Sequence, residues 1–316
     1  MKRALALAAL VLATSASAAP TGGNAVALIT AERQNQLIAV ELSSGRVLAR
    51  VSLPADPQGV AVAQKKVVVA SPASGAVTLL GQGSLRTLRV WRDFGAPHIV
   101  VADLLRTLAY VTDDSRGELS VIGLGARRIV GRVFVGAGVH HMALGPGGHR
   151  LWIALGEHAS QIAIVDVTNA LHPWVVRRIS LPFVAHDLAF SPDGRRVWVT
   201  SGVGDAVHVL NARTGKEAFA VRVGAAPQHV VFSDGRHFAV ATSGYSSRIL
   251  KIDPETGRVL RRAKTPYGSF NLSAIGSLVV TTSLLNGTVT EFDENLRRMR
   301  TIKPARAARS VALTVW

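Results

Sequence analysis

Cysteine is missing from all 316 residues. Disulfide scaffolds, thiolate metal sites and cysteine nucleophiles are therefore excluded at the outset. Aromatic side chains make up 5% of the chain, too few for the stacking platforms that hold single-stranded nucleic acid, which disfavours nucleic acid as a partner. Long apolar runs are also lacking. The longest, residues 4–13, is about half of the ~20 residues that a spanning helix needs, so the chain reads as not membrane-spanning. Acidic groups are scarce, with 20 Asp and Glu against 36 Lys and Arg and a formal charge of +16. Such a balance permits contact with an anionic surface, lipid or polymer, through basic patches. No G-x-S-x-G elbow, H-E-x-x-H pair or P-loop occurs, which removes the common hydrolase, zincin and nucleotide signatures.

The first residues carry an address. Lys2 and Arg3 precede the apolar stretch, and Ala16-Ser17-Ala18 forms a small-residue cleavage site. The pattern predicts a signal peptide over residues 1–18, a mature start at Ala19 and a periplasmic or secreted protein. Residues 19–316 then read as one domain, without a linker or low-complexity segment, and as a monomer.

What is present is a repeat. Gln58, His98, His140, His186, Gln228, Phe270 and Arg309 recur at intervals of 40, 42, 46, 42, 42 and 39 residues, each opening a short apolar run. A period near 42 with several strand-like runs per unit predicts an all-β fold, a seven-bladed β-propeller. The fourth unit reads most clearly: strand A over 186–191, strand B over 196–201, strand C over 206–210 and strand D over 217–223, separated by Gly, Pro, Asn and Asp turns. Residues 24–53 hold three such strands but no strand A, and the missing one lies at 310–316. The last blade is thus expected to close from C-terminal strand A and N-terminal strands B, C and D, which removes the open sheet edge.

Phe190-Ser191-Pro192-Asp193-Gly194-Arg195-Arg196-Val197-Trp198-Val199 and Ile252-Asp253-Pro254-Glu255-Thr256-Gly257, with Gly224-Ala225-Ala226-Pro227 as the approach segment, give the units their pattern. In these residues the chain resembles the YVTN-type β-propeller repeat family. Units one, two, six and seven lack the S-P-D-G turn and are looser copies. The resemblance spans residues 24–316 and implies a secreted propeller. It implies little about activity, because propellers host binding, lactone hydrolysis, lyase and redox roles.

An up-and-down blade sends its D-to-A and B-to-C loops to one face and its A-to-B and C-to-D turns to the other. The first face collects the repeat-opening residues together with Asp113, Asp114, Arg116, Glu157, His158, Asp205 and Tyr245. The second collects Lys65, Lys66, Arg106, Arg150, Arg195, Arg196, Lys216 and Arg258, and is expected to be the basic face. Innermost strands converge on a central channel, so Gln58, His98, His140, His186, Gln228, His229 and Arg309 are candidate ligand-binding residues at its mouth. Asp187 and His141, like His229, sit one residue further along than the repeat-opening positions.

Imidazole suits zinc, copper or iron, and His98, His140 and His186 are candidate ligands for a divalent metal. The same residues can equally serve structural hydrogen bonding between blades, or a ligand mouth without metal. Arg309 beside them would repel a cation and attract a carboxylate. Glu157 next to His158 is a weak candidate for proton transfer. Trp152 and Trp198, in matching strand B positions, read as inter-blade core. His149, His172, His208 and His237 read as surface or packing residues.

Two functions follow. One is an exported binding or scaffold protein whose His/Gln-lined mouth takes a small polar or anionic ligand or a loop of a protein partner. The alternative is a metal-assisted enzyme of the lactonase or lyase sort that uses the same mouth.

Overall fold

Short β-branched runs separated by obligatory turns leave the chain one economical way to bury itself, and seven four-stranded antiparallel sheets result. The computed structural model describes residues 24–156, 160–233 and 238–316. Glu157, His158 and His237, and the signal segment 1–18, lie outside the described residues. In blade four, strands A to D are Leu188–Phe190, Arg196–Thr200, Ala206–Asn211 and Glu217–Arg222, in simple meander order. Among the described residues no helix is long and apolar enough to cross a membrane.

Turn chemistry does what its residue types require. In the Ser191–Gly194 turn, the Ser191 hydroxyl donates to Asp193 Oδ1 at 2.6 Å and the Gly194 N–H to the Ser191 carbonyl at 2.8 Å. Gly194 sits at φ +70°, which a side chain would strain. In the Asp253–Gly257 turn, Asp253 Oδ1 accepts from the Glu255 and Thr256 N–H groups, both at 2.9 Å.

The core lies between blades rather than within them. Strand B is buried on both faces because a neighbouring sheet covers each side: Val197, Trp198 and Val199 are all fully buried. Trp198 meets Phe232 of blade five edge to face at 5.6 Å, and Trp152 of blade three meets Phe190 of blade four at 5.9 Å. Each aromatic pair adds roughly 0.5–1.5 kcal/mol beyond its buried area. Both tryptophans are therefore inter-blade core.

Several cations of the expected basic face are used as ties. Arg106 bonds the Asp103 carboxylate at 2.7 Å and the carbonyls of Gly148 and Val167 in blade three. Arg196 reaches the Pro254 carbonyl at 2.8 Å, and Arg150 pairs with Asp166. Lys65, Arg195, Lys216 and Arg258 stay exposed on that face.

Closure uses the two ends of the chain. Strand Ala308–Val315 pairs antiparallel with Ala25–Ala31, aligning Val26 with Thr314 and Leu28 with Ala312. It begins two residues earlier than the sequence pattern suggests. Arg50 and Arg300 reinforce the seam by donating to the Pro304 and Leu42 carbonyls at 2.8 Å. Deleting residues 310–316 would open both the sheet and the ring. We expect the Tm to fall by more than ~10 °C, equivalent to several kcal/mol in a chain of this size, as a thermal melt against the full chain would show.

Candidate functional site at the channel mouth

Each innermost strand contains the same irregularity at its mouth end. Two consecutive residues there face a single residue of strand B. His98 and Ile99 oppose Thr112, His140 and His141 oppose Ala154, and Arg309 and Ser310 oppose Thr30. The backbone bonds of His186-Asp187 around Thr200, of Gln228-His229 around Thr242 and of Gln58-Gly59 around Ala70 have the same form. Phe270-Asn271 against Thr282 completes the ring. A two-against-one bulge re-aims side chains that a regular strand would send to opposite faces. Blade four's regular strand A therefore starts at Leu188 instead of His186.

Threonines lock these bulges. Thr200 Oγ1 accepts the Asp187 N–H at 3.0 Å and donates to the Gln228 carbonyl of the next blade at 2.7 Å. Thr30 does the same for Ser310 and Gln58, at 3.0 and 2.8 Å, and Thr242 for His229 and Phe270. Thr282 donates to the Arg309 carbonyl at 2.7 Å. One hydroxyl thus satisfies two buried backbone groups and joins two blades.

The bulges surround a cavity of about 390 Å³, into which His98, His140, His141, His186, Gln228 and His229 project. His141 and His229 also wall a second cavity of about 520 Å³ further down the channel. Phe270 lines the mouth and packs edge to face on Tyr245 at 4.8 Å. Gln58 does not reach the mouth. Its amide folds back onto Asp56 at 2.9 Å, and Gly59 lines the cavity in its place. Arg309 does line the mouth, but its guanidinium is paired with Glu32 at 3.3 Å. Burial pushes the Glu32 carboxyl up, and Arg309 opposes that shift.

Two carboxylates organise the imidazoles. Asp114 Oδ2 lies 3.1 Å from His98 Nδ1 and 3.0 Å from His140 Nδ1, and the two Nδ1 atoms are themselves 3.0 Å apart. Asp187 offers Oδ1 to His141 Nδ1 at 3.1 Å and Oδ2 to His229 Nδ1 at 3.3 Å. It also accepts the Val230 N–H at 3.1 Å. Asp113, the neighbour of Asp114, has a different task and holds the Gly95 and Ala96 N–H groups at 2.7 and 2.9 Å.

Burial sets the charge state here. Desolvation lowers His98, takes His141 well below its ordinary value and lowers His186 to about 3. These imidazoles are neutral near pH 7, with lone pairs available to a ligand. Burial would raise both aspartates, but the imidazoles outweigh it and hold Asp114 and, further, Asp187 below the carboxylate range. Among the described residues, the buried polar atoms without a protein partner include three near the mouth, Asp114 Oδ1, Ser201 Oγ and Gln228 Nε2.

Of the residues singled out from sequence, His98, His140, His186, Gln228, His229 and Arg309 come together at the mouth. Asp114, His141 and Asp187 are equal members of the cluster. The doublets His140-His141 and His186-Asp187 are the signal that points to His141 and Asp187, once both positions of each doublet are known to face inward, and Asp114 comes from a B-to-C loop of the same face. His208 stands apart, stacked on Phe183 at 3.5 Å and paired with Glu217 at 2.6 Å.

Comparison with known proteins agrees with the propeller class. A family model described as outer membrane protein assembly factor BamB matches residues 141–296. No curated protein matches the sequence. Among solved structures, a functionally unknown protein from Desulfotomaculum acetoxidans superposes with a TM-score of 0.80 at 11% identity, over 91% of this chain and 98% of that one. Hydrazine synthase of Kuenenia stuttgartiensis gives 0.76 at 13% identity, over 92% and 100%. Apo AztD from Citrobacter koseri gives 0.74 at 11% identity, over 93% and 98%. Likenesses at such identity show the fold alone.

Two outcomes are expected. Thr200→Val keeps the shape but strands the Asp187 N–H and the Gln228 carbonyl, so urea unfolding should show a loss of about 2 kcal/mol. The second concerns pH in chelator-treated protein. Unfolded histidine takes up protons below the ordinary value of 6.5, whereas folded His186 stays neutral to about 3. Stability is therefore present above ~6.5 and is lost as pH falls through that window. Melts at pH 7.5 and 5.0 should show the drop, and His186→Gln should shrink it.

Proposed function

We propose that this chain is an exported binding propeller whose mouth holds a divalent d-block cation and, on its open side, a small anionic ligand. One observation carries the reading: the triangle of His98 Nδ1, His140 Nδ1 and Asp114 Oδ2, with edges of 3.0–3.1 Å. With the Asp114 carboxylate ionised, as its lowered titration implies, no pattern of protons satisfies all three edges. If both nitrogens are protonated, two N–H groups collide. If one is protonated, the lone pair of the other faces the carboxylate. A cation set about 1 Å to one side of the triangle's plane can receive all three lone pairs, since ligand atoms about 2.0–2.2 Å from a common ion lie roughly 3–3.6 Å apart.

The donor set of imidazoles and a carboxylate fits zinc, copper, iron or nickel better than calcium or magnesium. The cavity of about 390 Å³ beside the triangle leaves room for a ligand, and the unpartnered Gln228 Nε2 offers it a hydrogen bond. Arg309, already balanced by Glu32, does not repel the ion as strongly as a free guanidinium would. Export rests on Lys2, Arg3 and the small-residue cleavage site. The S-P-D-G and D-x-x-T-G turns support YVTN-type kinship within the propellers. The BamB-described match supports a scaffold role for the outer surface.

A second reading has the same cavity in its favour. A cation with an open side polarises a bound carbonyl, which suits lactone- or lyase-type chemistry. Turnover of such substrates by the loaded protein, abolished with the metal, would select it.

Elemental analysis of tag-free protein from its export compartment is the first test. We expect about one or more equivalents of a d-block metal per chain, and at least a tenfold loss of affinity in His98→Ala/His140→Ala. A metal-free chain that also takes up no Zn²⁺ or Co²⁺ after purification would end this reading.

A further inference from the structure

We infer that the half of the mouth built by blades five, six and seven is a subsite for a small aromatic acid, its ring lying along Phe270 and Tyr245 and its carboxylate turned to Gln228 and Arg309. The inference rests on the binding reading above and names the class of the anionic ligand.

The circle of repeat-opening residues divides by chemistry. Blades two, three and four bring His98, His140 and His186 to the cavity, whereas blades five, six and seven bring Gln228, Phe270 and Arg309. The triangle around Asp114 belongs to the first half. The second half offers an amide, an aromatic ring and a guanidinium, which together suit an anion carried on an apolar body.

The aromatic wall is held in place from behind. Phe270 is half-buried and Tyr245 is 63% exposed, their rings meet edge to face at 4.8 Å, and Leu284 lines the same cavity. Tyr245 sits in the short turn Gly244–Ser246. The Ser247 N–H closes that turn on the Gly244 carbonyl at 3.2 Å, and the Ser246 hydroxyl bonds the Ser243 carbonyl at 3.0 Å. A Cβ on Gly244 would stand 2.4 Å from Phe270 Cδ1, so glycine lets the Phe270 ring lie directly against the turn. A tyrosine fixed in this way, yet largely in water, loses little freedom when the ring of a ligand covers it.

Polar groups are ready at both ends of the wall. The same turn orients Gln228, whose Oε1 accepts the Gly244 N–H at 2.8 Å. Its Nε2 is then the free end of a side chain only 5% exposed as a residue, and it has no protein partner. An unpaired buried donor is costly, and a carboxylate oxygen entering the cavity satisfies it. Ser201 Oγ, also unpartnered, adjoins it, because the Gly202 N–H bonds the Pro227 carbonyl at 3.1 Å. Beyond Phe270, Arg309 gives one N–H to Glu32 at 3.3 Å, and the rest of its donor fork suits the second carboxylate oxygen. Gln228 and Arg309 flank Phe270 in the circle, so an acid held by either keeps its ring over the aromatic pair. The cavity of about 390 Å³ is at the small end of ligand sites, which suits one or two fused rings.

The test is a calorimetric titration of the full, tag-free chain, Zn²⁺-loaded and chelator-stripped, with 2-naphthoate and with decahydro-2-naphthoate, the saturated acid of the same carbon skeleton. We expect one 2-naphthoate per chain and about tenfold weaker binding of the saturated acid. Tyr245→Ala, at an exposed position outside the Asp114 triangle, should erase that preference and leave zinc content as it was. Arg309→Gln should weaken both acids alike. Equal affinity for the two acids, a preference that survives Tyr245→Ala, or a zinc-loaded chain that binds neither acid would overturn the subsite and leave the metal-binding reading intact. A chain that takes up no Zn²⁺ but keeps the aromatic preference would end the metal-binding reading and leave the subsite standing. Should Arg309→Gln fail to fold, as far-UV CD would reveal, the native chain and Tyr245→Ala decide between these outcomes.

Discussion

The architecture of the mouth depends on one constraint, the bulge that each innermost strand makes against a single strand B residue. A regular strand alternates its side chains, and each blade would then present one residue to the channel and one to its neighbour. The bulge presents both, which doubles the number of groups around the axis. Its backbone cost is unsatisfied N–H and C=O groups in a buried place, and those groups need partners. Thr30, Thr200 and Thr242 supply them, with one hydroxyl serving as acceptor within its own blade and donor to the next. The interaction that shapes the site is thus also one that holds the ring together.

That coupling explains how so many ionisable groups survive near the axis. An imidazole or carboxylate removed from water is costly unless partnered. Here each aspartate serves two histidines, and burial keeps His98, His141 and His186 neutral. Neutral imidazoles held by carboxylates are poor as isolated hydrogen-bond partners and good as ligands. The close approach of two nitrogens and an oxygen around Asp114 is the point at which hydrogen bonding alone ceases to account for the geometry.

Elsewhere the ring is held by packing and by long cations. Tryptophan on strand B meets phenylalanine of the following blade, and Arg50, Arg106, Arg196 and Arg300 reach backbone carbonyls across blade boundaries. Part of the positive charge that suggests an anionic partner in the composition is therefore structural. Planar guanidinium groups suit this use, because one head can meet several carbonyls at once.

The fold was legible in the sequence because it rests on local periodicity. A 42-residue spacing, short β-branched runs and turns such as Ser191–Gly194 act within a single unit, and the misplaced strand A at residues 310–316 announced the closure. His98, His140 and His186 were visible as a register for the same reason. Gln58 shares that register but turns to Asp56, a choice made by a loop two residues away. His141 and Asp187 were present in the sequence without a reason to point inward, since alternation along a strand argues against adjacent residues sharing a face, whereas Asp114 was placed on the right face by its loop but without a partner. The bulges overrule alternation, and they exist only where strand B of the same blade and strand A of the next supply partners. Sequence by itself determined the repeat, the blades and the ring closure, all consequences of patterns along the chain. Tertiary structure alone decided which side chains meet, because that depends on a hydroxyl from one blade bonding a carbonyl of another.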